Sequence, residues 1–373
     1  MRILHLLYES RGDPFGIGGV GIRAYEIYKY LKNRHEITLL CKKYPGAEDG
    51  EIEGLRHKFV GTESKNFTKT LLSYARCSSL FVKEHGQSFD IIVQEFSPAI
   101  PTRLHSLTKK PVVLQIQGYT GLRYFQKYSV FYAAVLYVFE RLLTLPYEHF
   151  IFVAESSKSN YRIGGNKNVG IIPNGIAEET IGHEYGEDSG YILFLGRIDI
   201  HHKGLDILLK AFSGFYSAFP DTRLVIAGDG RDRERFSGLL QNLPENVRRN
   251  IELTGWVDGD RKAVLLRNAS LVVMPSRYEA QSIVALEAMA YGKCLLVSNI
   301  PAFSFVTEKD AGISFRAEDP RSLEEELRRC ITLSEDERRK MGQRGRDWAR
   351  DFTWDKIALK YEDFLSKVLE KQG

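Results

Sequence analysis

Short runs of Val, Ile and Leu alternate with longer stretches of helical spacing along almost the whole chain, and few folds accept that rhythm. Strands buried on both faces read as near-continuous apolar runs, and parallel neighbours need a crossover between them. The first half gives strands at Ile3–Tyr8, Glu36–Cys41, Asp90–Glu95, Val112–Gln117, Phe150–Ala154 and Gly170–Ile172, with helices clearest at Gly19–Leu31 and Asn66–Glu84. The second half restarts at Tyr191–Gly196, Arg223–Ala227, Ile251–Thr254, Leu271–Pro275, Cys294–Ser298 and Gly312–Phe315. Between them, Glu178 to Gly190 is polar, contains glycine and lacks apolar periodicity, which marks a linker. The expectation is α/β: two Rossmann-like parallel-sheet domains, 1–182 and 183–353, with strand ends facing a shared crevice where ligands of such folds bind. Ile357, Leu359, Tyr361, Phe364, Leu365 and Val368 keep helical spacing, so 354–373 is expected to be a last helix packing back on the first domain.

Bulk properties remove several classes. At 373 residues the chain is too long for one ordinary core and fits two domains. A net charge of +4 from 52 basic and 48 acidic residues makes no demand for nucleic acid. Cys41, Cys77, Cys294 and Cys330 are scattered without a C-x-x-C pair, which suits reduced thiols in a cytoplasmic protein. Met1–Tyr8 is too short for a signal peptide, and the uncharged run Tyr128–Phe139 is too short to cross about 30 Å of hydrocarbon.

Three constellations carry chemistry. Gly16-Ile17-Gly18-Gly19-Val20-Gly21 matches G-x-G-x-x-G, but Glu9–Phe15 separates it from the strand and no acid ends the second strand. A nicotinamide site is therefore not expected. What remains is either a tight turn or a glycine loop feeding a helix start, whose N–H groups and dipole favour an anion. Gly196-Arg197 through Lys203-Gly204 follows a strand, so Arg197 and Lys203 emerge at the ligand-bearing edge of the second sheet. A planar fork and a compact point charge suit a diphosphate and can replace a metal in offsetting its charge. The adjacent His201 and His202 have no third ligand, and no metal is expected. In the third, Met274–Gly292, Glu279 precedes a helix beginning near Ser282 and Glu287 lies within it. The N–H groups near Ser282, Ile283 and Val284 can hold phosphate oxygens, and vicinal ribose hydroxyls would satisfy Glu287 in its apolar helix.

Taken together, these features resemble glycosyltransferase family 4, retaining enzymes of the GT-B fold. The likeness runs through Gly18-Gly19, Ile172-Pro173-Asn174-Gly175, Gly196-Arg197 to Lys203-Gly204, Glu279 with seven residues to Glu287, Ala288-Met289-Ala290 and Phe352-Thr353-Trp354. It implies a nucleotide-sugar donor, no cofactor, and a front-face displacement in which the leaving phosphate helps deprotonate the acceptor. Carried over, Arg197 and Lys203 hold the diphosphate, Glu279 contacts the transferred sugar, and Glu287 binds ribose. Gly18, Gly19, Gln117, Gly196, Ser282, Ile283 and Val284 complete donor binding, and Gly228–Gly230 with Gly255–Val257 receive the base. Two positions depart from the pattern. Gln117-Gly118 stands where the family has His, so proton handling there is not expected. Ser282 replaces a glycine at the phosphate, so donor identity does not carry over.

The acceptor is expected on the first domain. Tyr119–Tyr147 is rich in aromatics, with Arg123, Lys127 and Arg141 nearby. The plainer reading is a core helix with a basic rim; the other is a face for a lipid-linked or carbohydrate acceptor, with peripheral membrane contact. A nucleotide-sugar epimerase or hydrolase, and a non-catalytic nucleotide-sugar binder, are the alternative functions for the same architecture. Donor sugar, acceptor and oligomeric state are not legible.

Overall fold

The computed structural model describes residues 1–13, 17–63, 67–182 and 190–371. Gly16 of the first glycine loop and residues 183–189 of the expected linker lie outside them. The chain divides into one unit of Met1–Asn174 with Trp354–Gly373, and a second of Gly175–Thr353.

The first unit holds an eight-stranded sheet made of β1 (Arg2–Leu6), β2 (Glu36–Lys42), β3 (Gly50–Ile52), β4 (Leu55–Val60), β5 (Ile91–Glu95), β6 (Val112–Ile116), β7 (His149–Phe152) and β8 (Asn168–Ile171). Their order is β3-β4-β2-β1-β5-β6-β7-β8, and every pairing is parallel except β3 with β4. The β3–β4 hairpin escaped the sequence reading. It turns on Glu53 and Gly54, both at positive φ (54° and 76°), the geometry of a two-residue hairpin turn. Glu at the first turn position hides the signal that Asn-Gly would give.

Helix Gly19–Leu31 connects β1 to β2 and buries Ala24, Tyr25, Ile27, Tyr28 and Leu31. Helix Trp354–Glu370 packs against it, burying Ile357, Ala358, Tyr361, Leu365 and Val368. The Tyr28 and Tyr361 hydroxyls meet at 3.4 Å, and His35 Nε2 lies 2.6 Å from Glu362 Oε1.

The second unit is a six-stranded parallel sheet of β9 (Tyr191–Leu195), β10 (Arg223–Ala227), β11 (Ile251–Gly255), β12 (Leu271–Met274), β13 (Leu295–Ser298) and β14 (Gly312–Phe315). Its order is β11-β10-β9-β12-β13-β14. The central strands β9, β12 and β13 are buried along their whole length, which is why they read as unbroken apolar runs.

The division falls before the expected 182/183, for a reason visible in the side chains. Arg23, fully buried in the first unit, donates to the carbonyls of Ile172 (2.7 Å) and Pro173 (2.5 Å) and to Asn174 Oδ1 (3.2 Å). Burial lowers its pKa to about 10, against the attraction of Glu95. Two residues on, Ile176 donates its N–H to Phe352 O at 2.8 Å and enters the second unit's core. Ile172-Pro173-Asn174-Gly175 is thus the hand-over point itself.

Candidate active site

Strands β9 and β12 are parallel neighbours, so the loops after them leave one sheet edge together. Gly204 adopts a left-handed conformation (φ 65°), and a Cβ there would stand 1.9 Å from Pro275 O. Only glycine lets the 196–204 loop press so closely on the start of the next loop. Gly228 does the same for β10, since its Cβ would stand 1.9 Å from Gly196 O.

A brace of side chains then fixes the two loops. Arg277 donates to both carboxylate oxygens of Asp206, at 2.8 and 2.7 Å, and to His201 O at 2.8 Å. Its backbone N–H reaches His202 O at 3.0 Å, and the His202 and Tyr278 rings stack 4.0 Å apart. Hydrogen bonding to Asp206 raises the Arg277 pKa; burial works against ionised Asp206, but Arg277 outweighs it and holds that carboxyl low. Asp199 caps the short turn Ile200–Lys203 by accepting from His202 N–H at 3.1 Å.

The brace brings Lys203 to Glu279. Lys203 Nζ lies 2.5 Å from Glu279 Oε1, and Ser276 Oγ donates to the same oxygen at 2.9 Å. Burial pushes the Glu279 carboxyl up, yet the charges of Lys203 and His202 and the bonds from Lys203 and Ser276 overcome it, so its pKa falls below the ordinary 4.5. Glu279 is therefore a carboxylate at neutral pH. Three residues further on, Ser282 starts helix Ile283–Ala290, its Oγ accepting the Ala285 N–H at 3.2 Å. The N–H groups of Ile283 and Val284 open that helix and have no acceptor within it. Arg197, at the end of β9, is exposed. Glycine at 230 leaves it room, since a Cβ there would stand 3.0 Å from Arg197 Cγ.

Glu287 differs from expectation. Its Oε1 already receives Lys262 Nζ at 2.7 Å, from helix Gly259–Asn268, so its burial is satisfied within the chain. The glycine loop also differs. The Gly18 and Gly21 N–H groups both donate to Glu9 Oε2, at 2.9 and 2.8 Å. An anion does sit at that helix start, but it is the chain's own carboxylate. Gly19 is the first residue of the same helix. Gln117 donates to Glu95 Oε2 at 3.1 Å, and Glu95 is buried beside Gln115 (2.5 Å) and His5 (3.3 Å).

Of the catalytic and donor-binding residues expected from sequence, Gly18, Gly19 and Gln117 belong to the first unit, and Gly196, Arg197, Lys203, Glu279, Ser282, Ile283, Val284 and Glu287 to the second. The structure joins Lys203 to Glu279 and sets Gly196 against Gly228. Sequence reasoning missed Glu9, Asp206, Lys262, Ser276 and Arg277. Ser276 and Arg277 lie within the Met274–Gly292 stretch and Asp206 two residues after Gly204, whereas Glu9 and Lys262 act from a distance no spacing rule reaches. Among the described residues no group of three or more His, Cys, Asp or Glu side chains is arranged to hold a metal.

Known proteins resemble this chain in sequence and in fold. A family model described as Glycosyl transferases group 1 matches residues 177–348, and one described as Glycosyltransferase Family 4 matches residues 17–180. The uncharacterized glycosyltransferase MJ1178 of Methanocaldococcus jannaschii is 23% identical over 372 residues, spanning 96% of this chain and 97% of that protein. Sucrose-phosphate synthase of Thermosynechococcus elongatus has the same fold, with a TM-score of 0.79 at 18% identity over 100% of both chains. So does Anabaena Alr3699/HepE, solved in complex with UDP, with a TM-score of 0.71 at 16% identity over 98% of this chain and 100% of that one. The two Rossmann-like units have the GT-B architecture, and the family models matched on each make the chain a sugar-transferring enzyme. The chain belongs to the glycosyltransferases of the family 4 type.

Proposed function

We propose that the enzyme moves a sugar from a nucleoside-diphosphate sugar to a hydroxyl of a glycan, lipid-linked or small-molecule acceptor, retaining the anomeric configuration and needing no metal. The observation that carries this reading is the Lys203–Glu279 pair at 2.5 Å, three residues before the Ser282 helix cap. The two braced loops there offer a cation, a carboxylate and free helix N–H groups. The diphosphate is held by Lys203, Arg197 and the Ile283 and Val284 N–H groups, which oppose the charge that develops as it leaves. Glu279, kept ionised, faces the positive charge growing at the anomeric carbon. The bond from that carbon to the phosphate oxygen breaks with its electron pair going to phosphate. The acceptor oxygen bonds to the carbon on the same face, and its proton passes to the departing phosphate. No protein nucleophile is required. UDP in the HepE complex supports a nucleotide donor. Glu287, held by Lys262, binds the ribose hydroxyls with its remaining carboxylate oxygen.

The test is a donor screen by mass spectrometry in the presence of EDTA, with and without candidate acceptors, and with NMR of the product anomer. Acceptor-dependent loss of sugar from one donor, with the donor's anomeric configuration preserved, is expected. Acceptor-free sugar conversion would replace transfer by epimerisation, and an inverted product would remove the front-face course.

A further inference from the structure

The second sheet carries a shelf of bare backbone beside the proposed diphosphate seat. Strands β9, β10 and β11 are parallel neighbours, so the loops after them leave one sheet edge side by side. Each strand reaches that edge at a glycine: Gly196, Gly228 and Gly255. Gly228 packs on Gly196 O, and its N–H donates to Gly255 O at 2.8 Å, which locks the three backbones together. A Cβ at Gly255 would meet nothing within 4 Å, so the outer end of the shelf is open. Glycine at such a place lets a ligand lie directly against the backbone.

Trp256 borders that open end. Its neighbour Val257 enters the second unit's core, whereas the indole is 64% exposed. The indole Nε1 donates to Asp258 Oδ2 at 3.3 Å. Asp258 stands at the head of helix Gly259–Asn268, yet its carboxylate caps none of that helix's N–H groups. The same helix supplies Lys262, whose bond to Glu287 ties it to the residue given to ribose. From Arg197 and Lys203 after β9 to the indole after β11 is two strand spacings, about 10 Å. That is the reach from a diphosphate, across its ribose, to the base. An exposed ring beside open backbone is a platform on which a base stacks, and stacking alone accepts any base.

The carboxylate makes the choice. Guanine presents a ring N–H and an amino group on one edge, two donors that a carboxylate can accept together. Uracil sets a carbonyl oxygen on each side of its single N–H, and both oxygens are repelled by Asp258. Adenine offers an amino group beside an unprotonated ring nitrogen. We infer that Trp256 stacks on the base of the donor, that Asp258 reads it, and that the donor is a guanosine-diphosphate sugar. This rests on the diphosphate seat proposed above and adds to it the identity of the base.

The test is calorimetric titration of GDP, UDP and ADP, in EDTA, into the full-length parent, Trp256→Ser, Trp256→Phe, Asp258→Asn and Lys203→Ala proteins. GDP is expected to bind the parent at least about tenfold more tightly than UDP or ADP. Trp256→Ser lowers GDP affinity at least about tenfold, and Trp256→Phe restores most of it. Asp258→Asn lowers GDP affinity about tenfold and leaves UDP within about threefold, so the preference collapses. Fluorescence gives a second readout. Of the three tryptophans, Trp354 is buried and Trp348 stacks on Phe305 at 4.8 Å, so quenching of exposed indole emission by GDP reports Trp256 and disappears in Trp256→Ser. Both altered side chains are exposed, and thermal unfolding of these variants stays at the parent temperature. If Lys203→Ala weakens nucleotide binding while Trp256→Ser and Asp258→Asn do not, or if UDP binds the parent as tightly as GDP, the inference is overturned and the diphosphate seat stands. If no nucleotide binds the parent, the seat falls and the inference with it.

Discussion

The two helix starts that sequence marked for anions end up differently. At Gly19–Leu31, Glu9 fills the site from within, taking the N–H groups of Gly18 and Gly21. At Ile283–Ala290, Ser282 takes only the Ala285 N–H, and the acid three residues upstream is held aside by Lys203. In both cases a helix start presents N–H groups that favour an anion, and the placement of a nearby carboxylate decides whether the chain itself fills that position. Glu9 and Glu279 are both acids beside a helix start, and the difference is the lysine. Lys203 draws Glu279 to itself and leaves the helix N–H groups open, whereas Glu9 turns directly onto them.

The largest expected effect breaks the open site. Glu279→Gln should lower turnover about a hundredfold or more while leaving donor affinity within a few-fold, measured as kcat against KM with the donor found by the screen. A loss confined to KM would move Glu279 from the reacting carbon to ground-state binding. Next in size is the brace. Arg277→Ala should destabilise the chain by about 2 kcal/mol in denaturant unfolding, and combining it with Asp206→Ala should cost much less than the sum. Additive losses would mean that the two do not act as a pair.

A smaller effect concerns acid. Glu279 and Asp206 are held below their ordinary values of 4.5 and 3.8. Carboxyls lowered on folding contribute stability in full above those values and lose it as pH falls through their folded values. Stability should therefore be level at neutral pH and decline in the acid range. Arg277→Ala should flatten that decline; an unchanged profile would assign it to other carboxylates. The smallest effect sharpens the comparison from the other side. Glu9→Ala should cost about 1 kcal/mol as a lost helix cap, with nucleotide affinity nearly unchanged. A marked gain in affinity would show that Glu9 competes with phosphate and that the first helix start is the true seat.

The sequence reading succeeded where burial leaves a local signature. Strands β9, β10 and β12 to β14 are apolar runs bounded by glycine or polar residues, and their ends carry Gly196, Pro275 and Glu279 on schedule. Helix Trp354–Glu370 was legible from its spacing because only one of its faces is buried. What stayed hidden depends on partners far along the chain. Nothing near Glu287 announces Lys262, and nothing near Gly18 shows that Glu9 turns back onto it. Helix Val130–Leu142 misled for the opposite reason: two apolar faces look like a core helix, and only the fold shows that one of them is uncovered.

The most direct test of the central claim is calorimetric titration of UDP and GDP, in EDTA, into the parent and Lys203→Ala proteins. The diphosphate seat at the second unit's helix start requires the parent to bind at least one nucleotide without metal and the variant to bind it at least about tenfold more weakly. Equal affinity in the two proteins, or binding restored only by a divalent ion, would contradict it.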